Sequence, residues 1–148
     1  MELLNGHTDI IYRLSAAAIL GGLIGLEREL HGKVAGLRTH ALVALGSALF
    51  MIVSIHVFEL YHDVAPIDPG RIGAQVVTGV GFLGAGAIIR SSTGIKGLTT
   101  AAGIWTAAAI GLAAGVGYFQ AAFIGTGIIL FVLIVFSWVG RRIGARDV

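Results

Sequence analysis

Apolar residues occur along this chain in five long runs that are separated by short polar or charged connections. A membrane-spanning helix needs about 20 mostly apolar residues, and each run approaches or reaches that length. The sequence therefore predicts an all-α, polytopic transmembrane helix bundle. Its five spans are expected over residues 10–26, 37–61, 71–89, 99–117 and 119–139. Because the connections are short, we expect residues 1–148 to form a single membrane domain.

Glycine spacing within these runs predicts how the helices pack. The chain contains 23 glycines and only 2 prolines. Gly21 and Gly25 are four residues apart, as are Gly111 and Gly115, so each pair lies on one helix face. Small residues let helix backbones approach closely in lipid. We expect close packing within one protomer or between two copies, and a homodimer fits the pattern.

Composition supports the membrane class. Hydrophobic residues make up 56% of the chain, charged residues 12%, and the mean hydropathy is +0.91, whereas soluble domains carry about 25% charged residues. The absence of cysteine excludes disulfides and cysteine-ligated metals. A formal charge of +2 does not point to nucleic acid as a partner, because the basic residues flank apolar runs, where membrane topology explains them.

The distribution of lysine and arginine predicts the orientation in the membrane. With five spans and the N-terminus outside, only Arg13 and Arg71 lie on the outer side. The remaining basic residues all lie on the inner side: Arg28, Lys33, Arg38, Arg90, Lys96, Arg141, Arg142 and Arg146. Positive residues concentrate in cytoplasmic loops. The pattern predicts a multi-pass protein with a cytoplasmic C-terminus.

A polar stripe runs along the third predicted span. Arg71, Gln75, Thr78 and Phe82 follow one another at intervals of four, three and four residues, so they share one helix face. An amide and a hydroxyl at membrane depth are costly unless they have partners. The stripe is interpreted either as an interhelical hydrogen bond or as the wall of a polar cavity.

Charged residues cluster where the first span ends and the second begins. Glu27, Arg28 and Glu29 precede a short connection that leads to Arg38 and Thr39. We expect an ion pair between Arg38 and either Glu27 or Glu29. Such a cluster is either an anchor at the membrane interface or a cytoplasmic vestibule that binds an ion, a nucleotide or a protein.

The connection between the third and fourth spans carries a second set of polar residues. Gly94 and Gly97 interrupt the helical pattern, and Thr99 or Thr100 is a suitable N-cap for the next helix. A helix N-terminus favours an anion, and Arg90 and Lys96 would add positive charge. The segment is either an ordinary cytoplasmic turn or a phosphate- or carboxylate-binding site.

Acidic residues on the predicted outer side give a weak indication of a metal site. Glu59, Asp63 and Asp68 lie close together in sequence, and oxygen ligands suit hard cations such as magnesium. No spaced metal motif accompanies them. Signatures of enzymes, such as a nucleophile elbow or a phosphate-binding loop, are absent. We therefore expect neither catalysis nor a cofactor.

Four motifs carry a resemblance to a known family. They are GGLIGLERE at 21–29, AGLRTHALVALGS at 35–47, RIGAQVVTGVGFLGAGAIIR at 71–90 and KGLTTAAGIWTAAAIGLAAGVG at 96–117. Over residues 10–137 the chain resembles the MgtC/SapB family of bacterial inner-membrane proteins. The resemblance marks thirteen residues as signature positions: Glu27, Arg28, Arg38, Thr39, Asp68, Arg71, Gln75, Phe82, Arg90, Lys96, Thr99, Thr100 and Trp105. Many members carry a soluble C-terminal domain after the fifth span, and this sequence is expected to lack it.

The resemblance also implies a function. Family members are linked to survival in low magnesium, growth inside macrophages and restraint of the proton-driven ATP synthase. The leading hypothesis is a regulatory protein that acts through helix–helix contact with itself and with a larger membrane complex. One alternative is a channel or transporter for magnesium, protons or anions that is formed by a dimer. The other is a sensor of anionic lipid or of a metabolite.

Overall fold

The computed structural model describes residues 2–92 and 94–142, and most of them are helical. Three helices precede a small hairpin: α1 (Glu2–Leu30), α2 (Leu37–Tyr61) and α3 (Arg71–Gly86). The hairpin pairs β1 (Ile89–Ser91) with β2 (Gly94–Lys96) in antiparallel register. Helix α4 (Leu98–Val116) follows, and then α5 (Phe119–Phe131), a π-helical segment (Val132–Phe136) and α6 (Ser137–Arg142).

Among the described residues, four helices are long and apolar enough to cross a membrane: His7–Leu30, Leu37–Tyr61, Leu98–Val116 and Phe119–Arg142. The helical class of the fold is thus as predicted. Helix α3 differs, because its 16 residues extend only about 24 Å at 1.5 Å per residue. The span predicted over 71–89 ends too late, since the helix stops at Gly86 and a strand begins at Ile89.

Helices α1 and α4 both pack against the backbone at the start and middle of α2. A Cβ atom placed on Gly25 of α1 would lie 2.6 Å from the carbonyl oxygen of Gly36. One placed on Gly115 of α4 would lie 2.6 Å from the carbonyl oxygen of Ala48. Such distances exclude any side chain larger than hydrogen. The glycine faces therefore serve packing inside one protomer, and they give no separate support to a homodimer.

Contacts between helix ends define an up-and-down arrangement. Arg13 near the start of α1 meets Gly115 near the end of α4. At the opposite end, His40 in the first turn of α2 meets Gly103 near the start of α4. We call these the Arg13 end and the Glu27 end of the bundle. The hairpin follows α3 and precedes α4, so it lies at the Glu27 end.

Small side chains fill the middle of the bundle. Ala44 and Ala48 of α2, with Ala114 of α4, are completely buried, and Ile110 is almost so. Helix α3 lies beside this core and buries only Gly73, Val80 and Gly84. One side of α3 therefore contacts the bundle while most of its length stays exposed.

Candidate functional site

A buried ion pair occupies the end of α1. The side chains of Glu27 and Arg28 are 7% and 3% exposed. Arg28 donates from Nη2 to Glu27 Oε1 over 2.7 Å and from Nε to Glu27 Oε2. This bidentate pairing satisfies both carboxylate oxygens. The prediction that Arg38 pairs with Glu27 is wrong, because the neighbour in sequence takes that place.

Glu29 has a different role at the same end. Its Oε2 atom accepts a hydrogen bond from the backbone N–H of Leu37 over 2.8 Å. Leu37 is the first residue of α2, so the carboxylate satisfies a free N–H and faces the positive end of the helix dipole. Arg38 and Thr39 are exposed beside it. Within residues 2–92 and 94–142, Arg38 forms no ion pair.

Two histidines extend this polar cluster. His31 Nδ1 lies 3.0 Å from Glu27 Oε1 and 2.8 Å from the Glu27 carbonyl oxygen. His40 is fully buried, and its Nδ1 lies 2.9 Å from the carbonyl oxygen of Gly36. A carbonyl only accepts, so Nδ1 carries the proton, and Nε2 has no partner among the described residues. His40 was not among the residues predicted from the sequence, although a histidine at the start of an apolar run is a signal that could have found it.

The hairpin and the first turn of α4 hold the second predicted set. Arg90, Lys96 and Thr99 are exposed, whereas Thr100 is buried. The N-cap prediction is wrong, because α4 begins at Leu98 and its N-cap is Gly97, with φ of 91°. That left-handed conformation favours glycine. Thr99 and Thr100 consequently lie inside the helix.

The polar stripe of α3 faces away from the bundle. Arg71, Gln75, Thr78 and Phe82 are all exposed, Phe82 to 83%. In the part of the chain that the structure describes, no side chain hydrogen-bonds Gln75 or Thr78. The interhelical hydrogen bond that the spacing predicted is therefore not formed inside this protomer. We call these four residues the α3 face.

Two grooves flank α3. The first has a volume of about 490 Å³ and lies against α2, where Gly46, Phe50, Gln75 and Gly79 are among its lining residues. The second has about 410 Å³ and lies against α4, where Trp105 contributes to its wall. Both grooves are lined mainly by apolar side chains. Helix α3 thus forms a ridge between these two open apolar grooves.

Arg71 does not converge with Arg90 and Lys96. Arg71 begins α3, and Arg90 follows its end, so the two lie at opposite ends of a helix that extends about 24 Å. The Arg90 and Lys96 side chains instead share the Glu27 end with the buried pair. The predicted site residues are thereby divided between the α3 face and that end of the bundle.

Arg13 has a structural role that the sequence did not indicate. It donates from Nη1 to the carbonyl oxygen of Gly115 over 2.9 Å, and it pairs with Asp9 over 2.7 Å. Tyr118 and Gly117 donate to the carbonyls of Ala113 and Ala114, which is the Schellman arrangement at a helix C-terminus. Arg13 thus satisfies a further terminal carbonyl of α4 and places a cation at its negative end.

The structure gives no support to Glu59, Asp63 and Asp68 as metal ligands. Among the described residues, no group of three or more histidine, aspartate or glutamate side chains could hold a metal ion. Asp68 Oδ1 instead accepts from the N–H of Gly70 over 2.8 Å, and Asp63 lies 3.2 Å from His62. Glu59 joins neither residue in a cluster. Local contacts thus account for Asp63 and Asp68.

Comparison with known proteins identifies the family. The model of the MgtC family matches residues 14–142. The chain is 54% identical over 137 residues to the protein named "Putative magnesium transporter YhiD" of Escherichia coli (strain K12), which covers 91% of this chain and 64% of that protein. No solved structure matches.

Two further relatives agree. Identity is 46% over 133 residues to Protein MgtC of Salmonella typhimurium (strain LT2), covering 90% of this chain and 54% of that protein. Identity is 45% over 140 residues to Protein SapB of Bacillus subtilis (strain 168), and this match covers 92% of this chain and 60% of that protein. The chain spans between about half and two thirds of the length of these relatives. The resemblance found in the sequence motifs is confirmed, and the chain belongs to the MgtC family.

Proposed function

We propose that this MgtC-type protein is a membrane regulator that binds a larger membrane complex through the α3 face. One observation carries the proposal: Gln75 and Thr78 are exposed on a helix of a membrane bundle without a hydrogen-bonding partner in the described chain. Polar groups that face lipid are costly, whereas a neighbouring helix can satisfy them by hydrogen bonds. The α3 face is therefore suited to contact with another helix.

The shape around α3 supports the same proposal. Phe82 projects from the ridge, and the grooves on either side present Gly46, Gly79 and Gly81, each with open space where a Cβ would lie. These glycines differ from Gly111 and Gly115, which contact α2 directly. Helices that associate in lipid use small residues for close approach. The three glycines with open space at the Cβ position leave room for a helix of the partner.

The family suggests which complex to test first. The resemblance links MgtC proteins to restraint of the proton-driven ATP synthase, so membrane-embedded subunits of that enzyme are the proposed partner. The test is co-purification from bacterial membranes with a tagged chain. The triple variant Gln75→Leu/Thr78→Val/Phe82→Ala should lose the complex, while Phe123→Ala on exposed α5 should retain it. Equal recovery with both variants would remove the basis for this role.

Transport is the second candidate, and the name of the YhiD relative favours it. Within one protomer, however, Ala44, Ala48 and Ala114 fill the centre of the bundle, and no metal-ligand cluster occurs among the described residues. A pathway would therefore require a second copy. Liposomes that contain the chain would reveal transport as magnesium, proton or anion flux above that of empty vesicles.

We also propose the five-span topology, with the N-terminus outside and the C-terminus in the cytoplasm of a bacterial inner membrane. Alternating helix directions and the basic residues at the Glu27 end support it. The chain has no cysteine, so single cysteines report topology without background. A cysteine replacing Ser92 should react only from the cytoplasmic side, and one replacing Val64 only from outside. Reaction of both from one side would refute an odd number of crossings between them.

A further inference from the structure

We propose that the β1–β2 hairpin binds anionic phospholipid headgroups at the Glu27 end of the bundle. The hairpin joins two helices, and all six of its described strand residues are exposed. Its cross-strand partners are Ile89 with Lys96, and Arg90 with Ile95. Partners across an antiparallel pair point to the same face. Each face of the hairpin therefore presents one isoleucine and one cation.

This distribution suits the boundary between acyl chains and headgroups. Neither hairpin face is purely apolar, and all six described strand residues remain exposed in this protomer. Ile89 and Ile95 are 56% and 44% exposed. Long basic side chains keep an apolar stem in the hydrocarbon while the charge reaches the headgroups.

Charge at the Glu27 end identifies the ligand as anionic. Six basic side chains there form no ion pair with any carboxylate of the described chain: Lys33, Arg38, Arg90, Lys96, Arg141 and Arg142. The two acidic residues that the structure describes at this end are already engaged, Glu27 with Arg28 and Glu29 with the N–H of Leu37. The described residues therefore supply no free carboxylate that would complement the hairpin.

Phospholipid fits better than a soluble anion because the hairpin supplies apolar contacts together with the cations. Anionic lipid attracts basic side chains by about 1 kcal/mol each, which corresponds to about fivefold in binding. Arg90 and Lys96 stand on opposite faces of the hairpin, so they reach headgroups on both sides rather than enclose one small ion. This inference is independent of the partner that binds the α3 face.

The test uses a fluorescent probe on the hairpin. The variant Ser92→Cys, labelled with a polarity-sensitive fluorophore, is placed in phosphatidylcholine nanodiscs, and phosphatidylglycerol is added in increasing proportion. We expect a blue shift that high salt reverses. In an Arg90→Gln/Lys96→Gln background, the phosphatidylglycerol fraction at half response should rise by about fivefold or more, given about fivefold per cation. Thermal melting of each variant verifies that the bundle remains folded.

A matched control separates the hairpin from the general surface charge. Lys33→Gln/Arg38→Gln removes the same charge from the α1–α2 side of the same end and should leave the half-response fraction within about twofold of that of the parent, because neither residue belongs to the hairpin that carries the probe. A half-response fraction that stays unchanged in Arg90→Gln/Lys96→Gln, or that rises equally in both double variants, would overturn the proposal. So would an equal response to inorganic phosphate in phosphatidylcholine discs, since that would identify a soluble anion as the ligand.

Discussion

Gly111 of α4 lies directly against the carbonyl oxygen of Ala44 in α2, with no room for a side chain between the two helices. The same face of α4 brings Gly115 to the carbonyl oxygen of Ala48. Between these points both backbones are in van der Waals contact. The α2–α4 interface consequently admits no side chain larger than hydrogen at positions 111 and 115.

Replacing Gly111 with alanine should destabilise the bundle. The added methyl group would collide with backbone atoms, which cannot rotate away as a flexible side chain can. Overpacking typically costs about 1–3 kcal/mol, and we expect the upper part of that range. Thermal unfolding in detergent measures the change. Gly127→Ala is the control, because a Cβ there meets open space; similar effects of the two substitutions would contradict the described packing.

Replacing Arg13 with methionine should weaken the junction between α1 and α4. Gly115 would lose a side-chain donor, and Asp9 would lose its cation. A buried acceptor left without its donor costs about 1–3 kcal/mol. Unfolding by denaturing detergent measures the loss. Arg71→Met removes an exposed arginine and should change stability little, so an equal loss in both variants would argue against a specific role of Arg13.

The buried pair of Glu27 and Arg28 should show strong energetic coupling. Glu27→Gln alone leaves the Arg28 guanidinium buried without its carboxylate. Arg28→Met alone leaves the Glu27 carboxylate buried without the guanidinium. Removing one member of a buried pair costs about 3–5 kcal/mol, and the double variant should lose less than the sum of the two. A double-mutant cycle on the unfolding free energy measures this difference. Simple additivity would show that the two side chains do not stabilise each other.

The approximate positions of the four long apolar helices could be predicted from the sequence because apolar run length is a direct physical requirement of the bilayer. The residue at which α3 ends could not be predicted in this way. Ile88 and Ile89 continue the apolar run, and a short apolar run fits a strand as well as a helix. In the structure the chain leaves α3 at Gly86 and forms the hairpin, and Gly97 in a left-handed conformation then turns the chain into α4.

The residues of the candidate site could be predicted from the sequence, but not which of them pair with each other. Glu27 and Arg28 are adjacent in sequence, and adjacent helical residues ordinarily do not face each other, so the sequence favoured Arg38 as the partner. Arg13 gave no signal because its acceptor, the carbonyl oxygen of Gly115, is a backbone atom far away in sequence. The stripe on α3 was predictable from its spacing, whereas its outward direction depends on how α3 packs.

The central claim is that the α3 face contacts a protein partner, and photocrosslinking at Phe82 tests it most directly. A photoreactive phenylalanine analogue replaces Phe82 in cells, and the same analogue at Phe123 of α5, 59% exposed, serves as the control. The proposal predicts a defined protein adduct from position 82 and none from position 123, with mass spectrometry identifying the partner. An adduct to a second copy of the chain would assign the face to a homodimer instead. Crosslinks from position 82 to lipid alone would contradict the claim.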